Sequence, residues 1–211
     1  MYKIKLEQID SLEVDAVKES FNRLPKTDHK DGQYRLRRYS KIKLSDDDDF
    51  KYMKMESEAF NQSTDYNQFQ GGVDRKFEDI EDEIIESVFM LEMCDLFLNS
   101  CAFPDYHEIE IHQMRIITKD ESTPVSPEGV HQDGYTFIAM VGINRYNITG
   151  GNLLVCKTYE GKPIVDFPLD SGEMIMLDDR AMWHDATPIK QVSHAVQGWM
   201  DVFILTGGSD G

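Results

Sequence analysis

Long apolar runs and closely spaced cysteines are both missing from this 211-residue sequence. No uncharged stretch approaches the roughly 20 residues that a helix needs to cross a bilayer. The opening MYKIKLEQID lacks the apolar core of a signal peptide. Cys94, Cys101 and Cys156 have no CxxC spacing and stand among apolar residues, a pattern typical of buried, reduced thiols. We therefore expect a cytoplasmic protein without a membrane segment.

Positive charge is also scarce. The chain has 22 lysines and arginines against 39 aspartates and glutamates, and its net charge is −17. Such an acidic protein repels phosphate backbones and anionic lipids, which argues against general binding of nucleic acids or membranes. The exception is the basic segment Tyr34–Lys43, which is followed by the acidic run Asp46–Asp49. We expect that run to be a solvated loop.

The first half of the chain, residues 1–104, carries two helical patterns. One begins at the capping residue Asp10 and ends before Pro25, and the other runs from Ile80 to Leu98 with apolar residues on one face. Between them, Tyr34–Leu44 alternates bulky and charged residues, as a strand does. We expect this half to support the core of a single domain of 211 residues.

The second half, residues 105–207, changes to short strand-like segments separated by turns such as Gly150-Gly151. The predicted strands are His107–Thr118, Tyr135–Asn144, Asn152–Thr158, Lys162–Phe167, Glu173–Leu177 and Gly198–Thr206. Helices followed by closely spaced strands predict a mainly β fold with helical additions, a sandwich or barrel with helices on one face.

The stretch EGVHQDGYTF places His131 and Asp133 two residues apart, just before an apolar strand. Side chains two apart on a strand point the same way. Two histidines and one carboxylate on one face are the ligands of non-haem Fe(II) oxygenases. His184 is the better third ligand because it follows a turn-like Asp178-Asp179, and His194 is the alternative. Zinc accepts the same ligand types, and a loop pair satisfied by solvent is also open.

Seven stretches between Tyr34 and Thr206 carry a family resemblance: YRLRRYSK, FNQSTDYNQFQGGVDRKFEDI, IHQMRI, HQDG, INRYNITGGN, LDDRAMWHDATPI and WMDVFILT. They are similar to bacterial Fe(II)/2-oxoglutarate-dependent dioxygenases that hydroxylate free amino acids, the group typified by L-isoleucine 4-hydroxylase. The resemblance implies a double-stranded β-helix, a cupin-like jelly roll flanked by N-terminal helices. It also implies that His131, Asp133 and His184 are the metal ligands and the catalytic centre. The implied co-substrates are 2-oxoglutarate and O2.

One position departs from that family. There, a basic residue on the last strand pairs with the far carboxylate of 2-oxoglutarate, and here GWMDVFIL places Met200 at that point. A thioether cannot neutralise a carboxylate, so another cation is expected to substitute. The candidates are Arg115, Arg145, Arg180 and Lys190. Arg115 is preferred, because it alternates with apolar Ile109 and Ile111 on a predicted strand, and Gln113 and Arg180 are the other expected co-substrate contacts.

The expected substrate contacts are Arg35, Arg37 and Asn67. The arginines could hold the carboxylate of an amino-acid-like substrate, or they could be the solvent face of an edge strand. Asn67 belongs to a loop, ending in Gly71-Gly72, that could cover the site. Three other functions stay open: a metal protein with non-oxidative chemistry, a non-catalytic binder of amino or keto acids, and a dioxygenase with a different co-substrate. The sequence is also compatible with a homodimer.

Overall fold

The computed structural model describes residues 3–44, 52–67, 69–101, 108–119 and 121–209. The acidic run Asp46–Asp49 and the predicted strand start at His107 lie outside these residues. The described helices are α1 (Ser11–Val17), a 3-10 helix (Lys18–Arg23), α2 (Asp82–Ile85) and α3 (Val88–Cys101). The described strands are β1 (Ile4–Gln8), β2 (Arg35–Leu44), β3 (Tyr52–Lys54), β4 (Ile109–Ile117), β5 (Tyr135–Tyr146), β6 (Ile148–Gly150), β7 (Asn152–Cys156), β8 (Pro163–Pro168), β9 (Glu173–Asp178), β10 (Trp183–Ala186), β11 (Ile189–Gln191) and β12 (Trp199–Ser209).

Two groups of antiparallel strands build the β architecture. Seven strands form a large sheet in the order β1-β9-β5-β12-β4-β2-β3. The smaller group consists of the sheet β10-β7-β8 and the two-stranded pair β11-β6. This arrangement confirms the predicted mainly β jelly roll with helical additions. Strands from both halves of the sequence share the large sheet, since β2 pairs with β4 along eight residues from Arg35 to Ile42.

The large sheet is buried on both faces, and alternation along β12 shows how. Phe203 and Leu205 point into the core beneath the helices, whereas Met200 and Val202 belong to a separate cluster on the other face. Successive side chains on a strand point to opposite faces, so the continuous apolar run from Val202 to Leu205 serves two cores.

The helices pack on the outer face of the large sheet as the sequence predicted. Asp10 begins α1, and its carboxylate accepts the backbone N–H of Leu12 at 2.8 Å. The rings of Phe21 and Phe89 each lie 5.2 Å from that of Phe203. The second predicted helix is divided into α2 and α3, because the hydroxyl of Ser87 accepts the N–H of Met90 and starts a new helix.

Several short strands were not predicted: β1, β3, β6, β10 and β11. Segments of three to five residues are too short to display a clear period, and their pairing depends on partners elsewhere in the chain. All three cysteines are buried. No helix within the described ranges is long and apolar enough to span a membrane.

Candidate metal centre

The structure brings His131, Asp133 and His184 together at one end of the space between the sheets. The backbones of His131 and His184 exchange two hydrogen bonds of 2.9 Å, so their side chains leave the chain next to each other. His131 Nε2 lies 3.5 Å from Asp133 Oδ1, and His184 Nε2 lies 3.4 Å from Asp133 Oδ2. One ligand atom from each residue lies within 4.8 Å of the others.

The outer nitrogens of both imidazoles face oxygen atoms away from this centre. His131 Nδ1 is 2.7 Å from the carbonyl oxygen of Gly129, to which it donates if the ring carries its proton there. His184 Nδ1 lies 3.6 Å from Asp179 Oδ1. The hydrogen bond at His131 Nδ1 fixes the orientation of that ring, whereas the separation of 3.6 Å leaves His184 Nδ1 and Asp179 Oδ1 without a hydrogen bond. In both residues Nε2 is the nitrogen that faces Asp133 and can bind a metal. The donor set therefore fits Fe(II), with two imidazole nitrogens and one carboxylate beside an open cavity.

The electrostatics also favour a cation between these groups. Burial alone would lower the pKa of His131, but the hydrogen bond with Asp133 and the negative charges of Asp133 and Glu128 raise it to about 9. Burial opposes ionisation of Asp133 as well, yet the two histidines hold its pKa well below the usual range. Positive charge is thus stabilised at this point of the cavity.

Asp179 positions the turn that carries Asp133. Its buried Oδ2 accepts the backbone N–H groups of Asp133, Gly134 and Tyr135 at 2.9, 2.9 and 3.2 Å. Burial and the charge of Asp133 raise the pKa of Asp179 to about 6. Sequence reasoning treated Asp178-Asp179 only as a turn and missed this role, although an aspartate shortly before the third ligand was a usable signal.

A cavity of about 120 Å³ opens beside the three residues. Its wall contains both polar and aliphatic side chains. The polar ones include Arg35, Arg37, Gln62, Asn67, Arg75, His112 and Glu128, and the aliphatic ones include Met114, Ile116, Val125, Met200 and Val202. A small polar group and an apolar group can therefore be accommodated in the same chamber.

The three predicted substrate residues all line this cavity. Arg35 donates to Asp31 Oδ2 at 2.8 Å, while Arg37 Nη2 contacts Met114 Sδ at 3.3 Å. Burial, assisted by the neighbouring charge of Arg35, lowers the pKa of Arg37 to about 9. Asn67 donates to Gln62 Oε1 at 3.0 Å. The two arginines do not form a solvent face of β2, since Arg37 is buried, Arg35 is half-buried and both line the cavity.

The three expected co-substrate contacts lie outside the cavity. Gln113 donates to Ser20 Oγ at 2.6 Å, and Arg115 forms an ion pair with Asp201. Arg180 is an exposed residue of a turn and is not part of the cavity wall. The structure thus contradicts these placements. Because the large sheet is buried on both faces, apolar neighbours of Arg115 could not reveal which face borders the cavity.

The loop that the sequence predicts as a cover for the site also supports Asp133, through a contact that sequence reasoning missed. This site loop (residues 60–67 and 69–75) is closed by two 2.9 Å backbone hydrogen bonds between Phe60 and Arg75. Gln62 donates from Nε2 to Asp133 Oδ1 at 3.0 Å, and its Oε1 accepts from Arg75 at 3.1 Å. The ring of Tyr66 covers Gly134, where a Cβ would lie only 2.6 Å from a ring carbon.

His112 is a further cavity residue that the sequence did not single out. Its ring packs against those of Tyr39 and Phe60, at centroid distances of 4.8 and 4.5 Å. Burial and the positive charge of Arg37 lower the pKa of His112 well below its usual value. A neutral imidazole therefore completes the polar wall next to two arginines.

Fold and site together describe a jelly-roll protein whose cavity holds two histidines and one carboxylate in an arrangement that could bind a metal ion. A model of the 2OG-Fe dioxygenase family matches residues 18–206. The chain belongs to this family. Fe(II) and 2-oxoglutarate are accordingly its cofactor and co-substrate, and O2 and a small molecule are the other reactants. The sequence left open a metal protein with non-oxidative chemistry and a non-catalytic binding protein. Membership of the 2OG-Fe dioxygenase family favours an oxygen-dependent enzyme over both.

Solved structures show the same fold. A bsmA homolog from Methylobium petroleophilum PM1 is 30% identical, with a TM-score of 0.78 over 94% of this chain and 82% of that one. IDO from Bacillus thuringiensis is 16% identical, with a TM-score of 0.78 over 98% and 94% of the two chains. The Fe(II)/α-ketoglutarate-dependent dioxygenase TqaL is 14% identical, with a TM-score of 0.69 over 98% and 82%. No curated protein matches the sequence.

Proposed function

We propose that this dioxygenase hydroxylates a free amino acid or a closely similar zwitterion, and that His131, Asp133 and His184 hold its Fe(II). The observation that carries the substrate class is a pair of opposite charges in the cavity wall, Arg37 and Glu128. Among the described residues, Arg37 forms no ion pair, and Glu128 faces only His131, at 3.6 Å. A substrate with one carboxylate and one ammonium group satisfies both.

Arg37 is the proposed partner of the substrate carboxylate. Its guanidinium is buried, contacts Met114 Sδ and lies 5.1 Å from the ring centroid of Phe77. Neither contact neutralises a positive charge, and a buried charge without a partner is costly. A carboxylate could accept two parallel hydrogen bonds from the planar guanidinium. Arg35 is a weaker candidate for this role, because its charge is already neutralised by the ion pair with Asp31.

Glu128 is the proposed partner of the substrate ammonium group. Its Oε2 is buried and accepts no hydrogen bond from the described residues. Its Oε1 lies 3.6 Å from His131 Nε2, so the carboxylate stands directly beside the proposed iron. A zwitterion that bound both Glu128 and Arg37 would therefore place its α-carbon and side chain close to the metal centre, as hydroxylation of a C–H bond requires.

The chain's contribution to the reaction is positioning and exclusion of water. Bound Fe(II) and 2-oxoglutarate supply the oxidising chemistry, in which O2 is consumed, succinate and CO2 leave, and one oxygen atom becomes a hydroxyl on the substrate. Arg37 and Glu128 orient the substrate, and Asn67 and Gln62 hold the site loop above it. The aliphatic wall keeps water from the reacting carbon.

The first experiment adds 2-oxoglutarate to the Fe(II) protein without oxygen and records the visible charge-transfer band of a chelated keto acid. We expect the band in the wild type and a loss of bound iron in His131→Ala and His184→Ala. Iron retained at wild-type stoichiometry in either variant would show that the ligand assignment is wrong. An exposed histidine variant, His194→Ala, is the matched control.

The second experiment tests the substrate class by measuring succinate formation with aliphatic L-amino acids, L-isoleucine among them. We expect stimulation by an amino acid and none by the 2-hydroxy acid of the same skeleton, which lacks the ammonium group. Glu128→Gln should raise the apparent KM for the amino acid about tenfold, the size of one charged hydrogen bond. Equal stimulation of succinate formation by the two compounds would show that the substrate need not be a zwitterion.

Three expectations from the sequence remain proposals beside this function. We propose a single domain, a cytoplasmic location and a homodimer as compatible with it. The burial of all three cysteines among apolar residues supports a reducing compartment. Sedimentation of the purified protein measures its oligomeric state.

A further inference from the structure

The cavity must neutralise two carboxylates when it is filled. One belongs to the proposed substrate, and the other is the far carboxylate of 2-oxoglutarate, whose near end binds the metal. We propose that Arg145 binds the far carboxylate of 2-oxoglutarate. It would do so from the strand next to Met200, which occupies the wall position where the family has its basic residue. The inference rests on the proposed metal centre, because the metal anchors the other end of the molecule.

Arg145 lies next to Met200 on the cavity face of the large sheet. The two residues are Cα partners in the pairing of β5 with β12. Directly paired residues project to the same face, and Met200 lines the cavity. The side chain of Arg145 therefore leaves the sheet on its cavity face. Its Cα lies one strand spacing, roughly 5 Å, from that of Met200.

Gly151 leaves the end of Arg145 accessible from the cavity. This glycine is itself part of the cavity wall. A Cβ built on it would lie 3.2 Å from Arg145 Nη1 and 3.1 Å from Met200 Sδ. Because Gly151 has no side chain, the space between the guanidinium of Arg145 and the cavity stays open.

The guanidinium is held in place and still has donors to spare. Arg145 Nη2 donates to the carbonyl oxygen of Gly150 at 2.5 Å, and Nη1 lies 3.5 Å from that of Gly151. No ion pair to Arg145 occurs among the described residues, and Asp170 acts on it only at longer range. A guanidinium has five N–H donors, so a carboxylate can bind without breaking the contacts that position it.

The length of chain between His184 and the neighbour of Gly151 is compatible with the length of the co-substrate. The N–H of Gly151 donates to the carbonyl of Thr187, which lies three residues after His184. Three residues of extended chain span roughly 10 Å. The distance from a metal ion through bound 2-oxoglutarate to a hydrogen-bond donor at its far carboxylate is of similar size.

The other cations of the cavity serve its opposite side. Arg35 is paired with Asp31, Arg75 donates to Gln62, and Arg37 is the proposed substrate contact. Arg35 and Arg37 lie on β2, which β4 and β12 separate from β5. Three strand spacings amount to roughly 14 Å. The two carboxylates would therefore bind at opposite ends of the chamber without competing for one arginine.

The test compares 2-oxoglutarate with 2-oxobutyrate, which can chelate the metal in the same way but has no far carboxylate. Both are titrated into the Fe(II) protein without oxygen, with the charge-transfer band as the readout. We expect Arg145→Met to weaken 2-oxoglutarate about 10- to 100-fold and to leave 2-oxobutyrate unchanged. Lys190→Met, which removes an exposed cation on the neighbouring strand β11, is the matched control and should preserve the preference.

Two further variants keep the inference falsifiable if Arg145→Met fails to fold. Met200→Glu places a negative charge beside Arg145 and should weaken 2-oxoglutarate selectively. The double variant Arg145→Met/Met200→Arg should recover the preference, since it restores a cation at the same end of the cavity. An unchanged preference in Arg145→Met or Met200→Glu would overturn the assignment. No band with either keto acid in the wild type would instead reject the metal centre on which it rests.

Discussion

Arg115 and Asp201 form an ion pair with two hydrogen bonds, of 2.6 and 2.8 Å, on the face of the large sheet turned away from the cavity. The carboxylate is completely buried, and the guanidinium also donates to Asn22 Oδ1 at 2.7 Å. The pair joins β4 to β12 and to the 3-10 helix, so it is part of the scaffold.

Removal of this arginine should affect the fold and leave the site intact. Arg115→Met leaves Asp201 buried without a cation, and we expect a loss of about 3 kcal/mol in the free energy of unfolding. Urea unfolding measures it, and the double variant Arg115→Met/Asp201→Leu should recover most of the loss. Selective loss of 2-oxoglutarate binding in a fully stable Arg115→Met protein would restore the co-substrate role expected from the sequence.

Asp179 should control iron affinity without binding iron. Asp179→Ala deprives three backbone N–H groups of their acceptor and frees the turn that carries Asp133. We expect the affinity for Fe(II) to fall about 10- to 100-fold, measured by metal titration under anaerobic conditions. Asp28→Ala, at an exposed aspartate, is the control. Equal affinities in the two variants would contradict the positioning role.

Gly134 should tolerate no side chain, for two independent reasons. Its φ is +87°, and an added Cβ would meet the ring of Tyr66 at 2.6 Å. We expect Gly134→Ala to displace the site loop and to increase its cleavage by trypsin. Gly134→Ala/Tyr66→Ala should relieve the clash but retain a cost of about 1 kcal/mol from the left-handed backbone. Full stability of the single variant would show that the turn is more adaptable.

The ion pair of Asp31 and Arg35 should make stability depend on pH in the acidic range. Burial tends to raise the pKa of Asp31, but the charges of Arg35 and Arg37 and a hydrogen bond from Gln70 lower it below the usual value. The contribution is therefore fully present above the unfolded pKa of about 3.9 and is lost as pH falls through the lower folded value.

Asp31→Asn tests this dependence. We expect the variant to be less stable than the wild type by about 3 kcal/mol at neutral pH. The difference should shrink below about pH 4, because the unfolded wild-type chain then binds a proton at Asp31, whereas the folded carboxylate is protonated only at a lower pH. Chemical unfolding at several pH values measures both proteins, and a difference that stays constant down to pH 2 would reject the linkage.

Local patterns in the sequence were sufficient where a short segment contains all the relevant information. Asp10 caps α1 because the acceptor and the N–H of Leu12 are two residues apart. The alternation in Tyr34–Leu44 predicted β2 with an error of one residue. The His-x-Asp spacing pointed to the pair His131 and Asp133, since both side chains leave the same side of one extended segment.

Contacts between distant segments could not be predicted in the same way. Nothing near Asp133 in the sequence indicates that Gln62 donates to it across 71 residues. The alternation on β4 gave the period of the strand but not the identity of its two buried faces, and this ambiguity placed Arg115 in the wrong core. Likewise, the proximity of Arg145 to Met200 is a consequence of strand register, which depends on the whole sheet.

The amino-acid sequence by itself determined the types of local structure, the ligand chemistry of the metal centre and its family resemblance, because each depends on residue types at short spacing. Tertiary structure alone decided which cations face the cavity and which are used to bind strands together. The physical reason is that the alternation of a strand depends only on neighbouring residues. Which of its two faces borders the cavity depends instead on the helices and strands that pack against the sheet.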